Sequence, residues 1–169
     1  MEVEKLKRMD TKLESEGAEF LVLGNLLIQG IPTYKTYTNM PGYDLVATSP
    51  EKNSSVRIQV KSRYQTNWDG FMIKNMDADF VVLVTLNRGI PNRKKKFPEE
   101  VNVREPNFYV FPMDYVLKIR DEENSWGKIT KKRMIEFERY ENRWDLIQNK
   151  LSGMDKQSNY LMELTRKIQ

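Results

Sequence analysis

The stretch GYDLVATSPEKNSSVRIQVKS, from Gly42 to Ser62, decides the fold. Two pieces rich in β-branched residues flank the polar segment SPEKNS, a pattern that predicts an antiparallel hairpin. We expect Tyr43 to Thr48 to pair with Ser55 to Lys61, around a turn centred between Glu51 and Lys52. Directly opposite side chains share a face, so Tyr43, Leu45, Ala47, Val56, Ile58 and Val60 form one apolar face.

The same register places Asp44 opposite Gln59, with Lys61 diagonal to Asp44. A slip of one residue would turn the apolar face to water, so the register is strongly specified. The pairing that builds a core therefore gathers these three polar side chains at one end of the hairpin. Two interpretations stay open for the trio: a solvent-facing polar edge, which is the common case, or a functional site.

The rest of the chain predicts an alternation of helices and strands, hence an α/β fold. Phe80 to Leu86, FVVLVTL, is a nearly continuous apolar run typical of a strand buried on both faces. KKRMIEF is compatible with strand or helix, and WDGFMIK (68–74) looks extended. A helix is predicted from Glu14 to Ile28, because apolar residues recur near helical spacing, namely Phe20, Leu23, Leu27, Leu21 and Ile28. The other predicted elements are strands at Tyr34 to Thr38 and Asn107 to Phe111, a short helix after Pro112 to about Ile119, and a helix from Glu141 to Leu151.

Composition excludes several classes of site. The 169 residues contain no cysteine and no histidine, and the net charge is +4. A disulfide framework, a thiolate nucleophile, a Ser-His triad and a histidine metal cluster are therefore excluded. The length predicts one domain spanning 1–169, with a core at about 14–115 and a C-terminal helical extension at about 138–169. The charged N-terminus and the lack of a long apolar run predict a cytoplasmic protein without a membrane segment.

The predicted first helix contains a single charge within AEFLVLGNLLI (18–28), namely Glu19. A carboxylate among apolar neighbours is costly unless it is paired or binds a ligand. The alternative is a partly exposed glutamate in a first turn, favoured by the helix dipole.

Taken in order, Glu19, the segment PGYD (41–44) and the segment QVK (59–61) resemble the PD-(D/E)xK nuclease superfamily. The segments ADFVVLVTL (78–86) and FYVFP (108–112) are similar to later strands of its Holliday-junction-resolvase-like and Mrr-type branches. The resemblance covers about residues 14–115. It implies a restriction-endonuclease-like fold, with a central mixed β-sheet flanked by helices.

The resemblance also implies a catalytic site formed by Asp44, Gln59, Lys61 and Glu19. Asp44 matches the metal-binding aspartate, Lys61 the lysine beside the nucleophilic water, and Glu19 the helix glutamate. Gln59 stands where Glu or Asp is usual, although Mrr-type members also carry Q-x-K. The proline lies three residues before the aspartate instead of adjacent to it.

The expected cofactor is Mg²⁺ or Mn²⁺, because phosphodiester hydrolysis needs a hard cation that prefers oxygen ligands. The expected metal ligands are Asp44, the amide oxygen of Gln59, the carbonyl of Val60, and Glu19 directly or through water. Replacing Glu by Gln removes one negative charge, so weaker metal affinity is expected than in an E-x-K site.

The expected partner is DNA. Arg57, Arg63 and Lys74 would flank the site and contact the substrate backbone. A basic run either binds phosphates or is a solvated loop, and it consists of Arg93, Lys94, Lys95 and Lys96. Tyr64 and Trp68 either stack on bases or pack in the core. Family members of this size often form dimers, so a homodimer is a further expectation.

Two functions follow as hypotheses. The first is a metal-dependent DNA endonuclease that hydrolyses phosphodiester bonds. The alternative is a non-catalytic nucleic-acid-binding or assembly module that retains the nuclease fold, with Gln59 marking decay of the site.

Overall fold

The computed structural model describes residues 11–36, 42–89, 102–120 and 126–154. Within these ranges the chain forms three α-helices and seven strands. In chain order they are α1 Thr11–Ile28, β1 Thr33–Lys35, β2 Leu45–Ser49, β3 Ser54–Arg63, β4 Gly70–Met72, β5 Phe80–Thr85, β6 Asn107–Pro112, α2 Met113–Ile119, β7 Lys128–Thr130 and α3 Asp145–Ser152.

A mixed five-stranded sheet with the order β1-β2-β3-β5-β6 forms the centre, and β4 and β7 make a separate two-stranded sheet. β3 and β5 are parallel, while the other neighbours in the large sheet are antiparallel. All six residues of β5 are buried, because helices and the small sheet cover both faces of this apolar run. The predicted α/β class, a mixed sheet flanked by helices, is confirmed.

The hairpin has the predicted register, with Leu45 opposite Ile58 and Ala47 opposite Val56. Its turn is a short 3₁₀ segment followed by Asn53, which adopts a left-handed conformation with φ of +46°. The ladder ends at Leu45, one step before Asp44 would face Gln59. β3 therefore continues past the end of β2.

α1 packs on the sheet through Ala18, Val22 and Leu26, which belong to the core cluster that contains Ile58 and Val60. The spacing of the apolar residues predicted the helix, but most of the residues on which that prediction rests do not face the sheet. Four of them are exposed: Phe20, Leu21, Leu27 and Ile28. Small and branched residues at a four-residue spacing let the helix approach the sheet closely, so the larger side chains point outward.

The opposite face of the sheet is covered by α2 and the small sheet. Val81 and Leu83 pack there with Phe71, Phe111 and Ile129. Trp68 belongs to the same cluster and is 7% exposed, which makes it a core residue and not a stacking platform. The segment 68–74 is extended at β4, as predicted, and KKRMIEF forms 3₁₀ turns instead of strand or helix.

α3 begins at Asp145 and not at Glu141 as predicted. Glu141 forms a β-bridge with Tyr109, and Asn142 adopts a φ of +52°, so the chain turns before the helix can start. Ile147 and Leu151 then join the core cluster beneath β2 and β3. None of the helices in the described ranges has the length and apolar character needed to cross a membrane.

Candidate active site

The large sheet opens beside Asp44, because β2 starts at Leu45 whereas β3 runs on to Arg63. The backbone of Asp44 is held from both sides of this opening. Its N–H donates to the carbonyl of Ile58 at 2.9 Å, and its carbonyl accepts from the N–H of Thr36 at 3.0 Å. The Thr36 hydroxyl donates to the same carbonyl at 3.0 Å. β3 and Thr36, directly after β1, thus fix the position of Asp44 where regular pairing ends.

The carboxylate of Asp44 turns into the opening and binds β3. Its Oδ2 accepts a hydrogen bond of 2.7 Å from the N–H of Val60. Within a strand, the N–H and C=O of one residue point to the same side. The carbonyl of Val60 therefore points toward the same opening as the Asp44 carboxylate.

Gln59 precedes this amide and is 7% exposed. Its Oε1 is buried and has no hydrogen-bond partner within the described ranges. A buried acceptor without a partner costs about 1–3 kcal/mol, so such an atom calls for a water or an ion. The unsatisfied oxygen thus belongs to the residue that precedes Val60 in sequence, whose amide binds Asp44.

Lys61 lies on the same face of β3 as Gln59, since side chains alternate along a strand. Burial lowers the pKa of Lys61, and the charge of Arg63 lowers it further, while Asp44 and Glu19 act in the opposite direction. The ammonium forms no ion pair with a carboxylate among the residues that the structure describes. Lys61 is thus a partly desolvated cation that responds to both acidic residues of the candidate site.

Glu19 reaches the region from α1. Burial raises the pKa of its carboxyl, a hydrogen bond from Lys35 lowers it, and the negative charge of Asp44 raises it again. The charge of Asp44 thus favours the protonated form of Glu19, and the charges of Asp44 and Glu19 both favour the protonated form of Lys61.

Lys35 contacts Glu19 and was not among the residues singled out from the sequence. Its side chain is 5% exposed, and its ammonium contacts Glu19 Oε2 and lies 3.0 Å from Glu16 Oε1. Burial lowers the pKa of Lys35, but the hydrogen bonds to Glu19 and Glu16 outweigh it, and the pKa is raised. Side chains alternate between the two faces of a strand, so Lys35 lies on the same inward face as Thr33. This alternation was the available signal that Lys35 is buried.

Glu14 is a second missed carboxylate. It is 5% exposed, on the buried side of α1, and its Oε1 accepts a hydrogen bond of 3.3 Å from the Ser62 hydroxyl. Its four-residue spacing from Ala18, Val22 and Leu26 was the signal for this buried position. Glu14 links α1 to the end of β3 that carries Lys61.

The residues expected to bind nucleic acid differ in their surroundings. Arg57 is paired with Asp77 at 2.5 Å and with Asp79 at 3.6 Å. The guanidinium of Arg63 donates to the carbonyls of Gly70 and Ser62. Lys74 is exposed just after β4. Arg93, Lys94, Lys95 and Lys96 lie outside the described residues.

The oxygens expected to bind a metal are of the kind that a hard divalent cation prefers. They are the carboxylates of Asp44 and Glu19 and the neutral oxygens of Gln59 and Val60, and of these the Asp44 carboxylate and the Val60 backbone meet at the opening. The described part of the chain contains no group of three or more His, Cys, Asp or Glu residues placed to hold a metal. Any such site here must therefore use neutral oxygens. Mg²⁺ accepts this, because it is typically held by one or two carboxylates and keeps several waters.

Comparison with known proteins bears on the fold. No protein-family model and no curated protein sequence matches the chain. Among solved structures, the chain is similar to the bacterial homing endonuclease I-Ssp6803I, with 24% sequence identity and a TM-score of 0.55. The similarity covers 88% of this chain and 99% of that one. This protein thus shares the overall fold of that endonuclease.

Proposed function

We propose that the protein is a metal-dependent DNA endonuclease of the PD-(D/E)xK type, with its site at the opening between β2 and β3. The observation that carries the proposal is the buried, unsatisfied amide oxygen of Gln59, next to the amide that orients Asp44. The homing endonuclease with the same fold supports DNA as the substrate. The order of Glu19, Asp44, Gln59 and Lys61 matches the superfamily pattern.

Asp44, Gln59, the Val60 carbonyl and Glu19 would hold Mg²⁺ or Mn²⁺. When bound, such an ion polarises the phosphoryl oxygen and acidifies water. The hydrogen bond from Val60 directs Oδ2 of Asp44, so its carboxylate is preorganised. Such preorganisation avoids rearrangement during the reaction.

Lys61 would orient the attacking water and stabilise negative charge that develops on the pentavalent transition state. Its partial burial strengthens this effect, because charge interactions grow as the local dielectric falls. Arg63 and Lys74 would contact the DNA backbone on this side. Arg57 would serve chiefly to link β3 to the Asp77 and Asp79 segment, since both acids already neutralise it.

DNA cleavage with and without metal tests this proposal. Wild type should cleave with Mg²⁺ or Mn²⁺ and stop when chelator is added. Asp44→Ala should lower the rate by about 10²-fold or more, the scale for removing one group that stabilises a transition state. Lys61→Ala should lose comparable activity yet still bind Mn²⁺, because a protonated lysine is not a ligand. Activity that survives Asp44→Ala would refute the assignment.

A non-catalytic DNA-binding module is the second candidate, and the contact between Lys35 and Glu19 favours it. An ammonium that already neutralises Glu19 reduces the charge available to a metal. This candidate is correct if wild type binds DNA and is inert with both metals, while Gln59→Glu restores cleavage. If neither protein cleaves or binds metal, the likeness extends only to the fold.

A further inference from the structure

The outer face of α1 carries an uncharged apolar stripe, which we define as Leu13, Gly17, Phe20, Gly24 and Leu27. Leu13 is 65% exposed, Phe20 48% and Leu27 51%. Leu21 and Ile28 border the stripe and are also exposed. Five exposed apolar side chains thus lie together on the outer part of one helix, and a contiguous exposed apolar patch on a monomer marks an interaction site.

The two glycines of the stripe have no steric role within the protomer. A Cβ atom built at Gly17 or at Gly24 would meet no atom within 4 Å. Glycine is unfavourable inside a helix. Two glycines seven residues apart, on an exposed face, therefore need a reason outside the protomer.

The spacing of the stripe alternates between four and three residues, which is the spacing of a helix that packs along a second helix. Large and small residues also alternate along it. If two copies of α1 run antiparallel, Leu13 of one copy can lie opposite Gly24 of the other, and Phe20 opposite Gly17. Each large side chain then meets a glycine, and the relation is reciprocal, as a two-fold interface requires.

We propose that two copies of this protein form a two-fold symmetric dimer by antiparallel packing of the apolar stripe. A standard interface buries about 800 Å² per partner. The stripe would form the apolar centre of such an interface, and the surface around it would supply the remaining area. The absence of charge along the stripe makes it unsuited to DNA, so the partner it fits is an apolar helix of the same shape.

The oligomeric state of the full chain tests the proposal, measured by light scattering and sedimentation over about 1–100 μM. Wild type should be a dimer at the upper concentrations. Leu13→Glu should raise the dimer dissociation constant at least tenfold by placing a charge against Gly24. Leu13 is chosen because Phe20 also contacts Lys35. The control is Ile135→Glu, since Ile135 is 74% exposed and lies away from α1.

Gly24→Leu provides a second variant that does not depend on adding a charge. Its side chain meets open space in the protomer, so the variant should fold, with a circular dichroism spectrum like that of wild type. It should weaken the dimer at least tenfold, because it fills the space that receives Leu13. A dimer unaffected by both variants would overturn the proposal.

Single cysteines test the antiparallel register, because the natural chain has none. A mixture of Leu13→Cys and Gly24→Cys chains should form a disulfide-linked heterodimer under mild oxidation, while either variant alone should not. Efficient cross-linking of Leu13→Cys with itself would show a parallel arrangement and contradict the proposal. A wild type that stays monomeric, with a melting temperature lowered by Leu13→Glu, would show that the chain's own segments cover the stripe, and would also overturn it.

Discussion

At the scale of single residues, the candidate site combines one oriented carboxylate with one unsatisfied amide. Asp44 is held through its N–H, its carbonyl and its Oδ2, by Thr36 after β1 and by groups on β3. Gln59 contributes a buried oxygen that nothing in the described chain satisfies. The amide is neutral, whereas a glutamate at this buried position would place a negative charge in the interior.

Gln59→Glu should raise the affinity for Mn²⁺ about tenfold, which corresponds to about 1.4 kcal/mol. The added charge attracts the cation, and the same charge should lower the melting temperature when chelator is present. Titration calorimetry and thermal denaturation measure the two effects. Asn67→Asp is the matched control, because Asn67 is exposed. Unchanged affinity in Gln59→Glu would remove Gln59 from the ligand set.

Lys61→Met should stabilise the protein at pH 7 and abolish cleavage. The pKa of Lys61 in the folded state is lowered below its usual 10.5, so the buried charge destabilises the fold at every pH below the folded pKa. That cost disappears as the pH rises from the folded pKa to the unfolded one. A gain of about 0.5–2 kcal/mol is the usual size of a single stabilising substitution.

The gain from Lys61→Met should therefore shrink as the pH approaches 10.5. Thermal denaturation over a pH series checks this, with Lys74→Met as the exposed control. A lower melting temperature for Lys61→Met at pH 7 would show that Lys61 serves mainly to stabilise the fold.

At the scale of elements, the unequal lengths of β2 and β3 create the site. The apolar alternation of Leu45, Ala47, Val56 and Ile58 predicts their pairing, because only one register buries all four. The alternation does not reveal where pairing stops. The end of β2 depends on Thr36, directly after β1, which donates a hydrogen bond to the carbonyl of Asp44, and this contact is not encoded within the hairpin.

The helices show the same division between what is predictable and what is not. The apolar period predicts α1, but which side is buried depends on how closely the helix approaches the sheet. α1 has apolar residues on more than one side, so the sequence alone does not distinguish the Ala18 side from the Phe20 side. Lys35 was missed for a related reason, since its carboxylate partners lie on a different element.

α3 is an integral part of the core, which leads to a prediction for stability. Ile147 is fully buried against the cluster beneath β2 and β3. Ile147→Ala should cost about 2–5 kcal/mol in the free energy of unfolding. Ile135→Ala, at a residue that is 74% exposed, should cost at most about 0.5 kcal/mol. Similar denaturation midpoints for the two variants would show that α3 is not essential to the fold.

At the scale of the whole molecule, the sheet separates two layers that serve different purposes. α1 and α3 pack on one face, and α2 with the small sheet covers the other. The candidate site lies where the sheet opens, so Glu19 can approach from the α1 layer while Gln59 and Lys61 project toward the other. The order of strands and helices along the chain predicts the α/β class, which is confirmed, whereas the charge balance around Glu19 depends on contacts between elements.

A crystal soaked in Mn²⁺ tests the central claim most directly, because the anomalous signal of manganese locates the ion without reference to activity. We expect a peak in the opening between β2 and β3. The Asp44 carboxylate and Gln59 Oε1 should each lie about 2.0–2.2 Å from the ion, close to the distance between Mg²⁺ and its oxygen ligands. The Val60 carbonyl should complete the protein ligands, with Glu19 bound directly or through water. A fully soaked crystal with no peak at this position, and with Gln59 Oε1 hydrogen-bonded to a water or a side chain instead, would contradict the account.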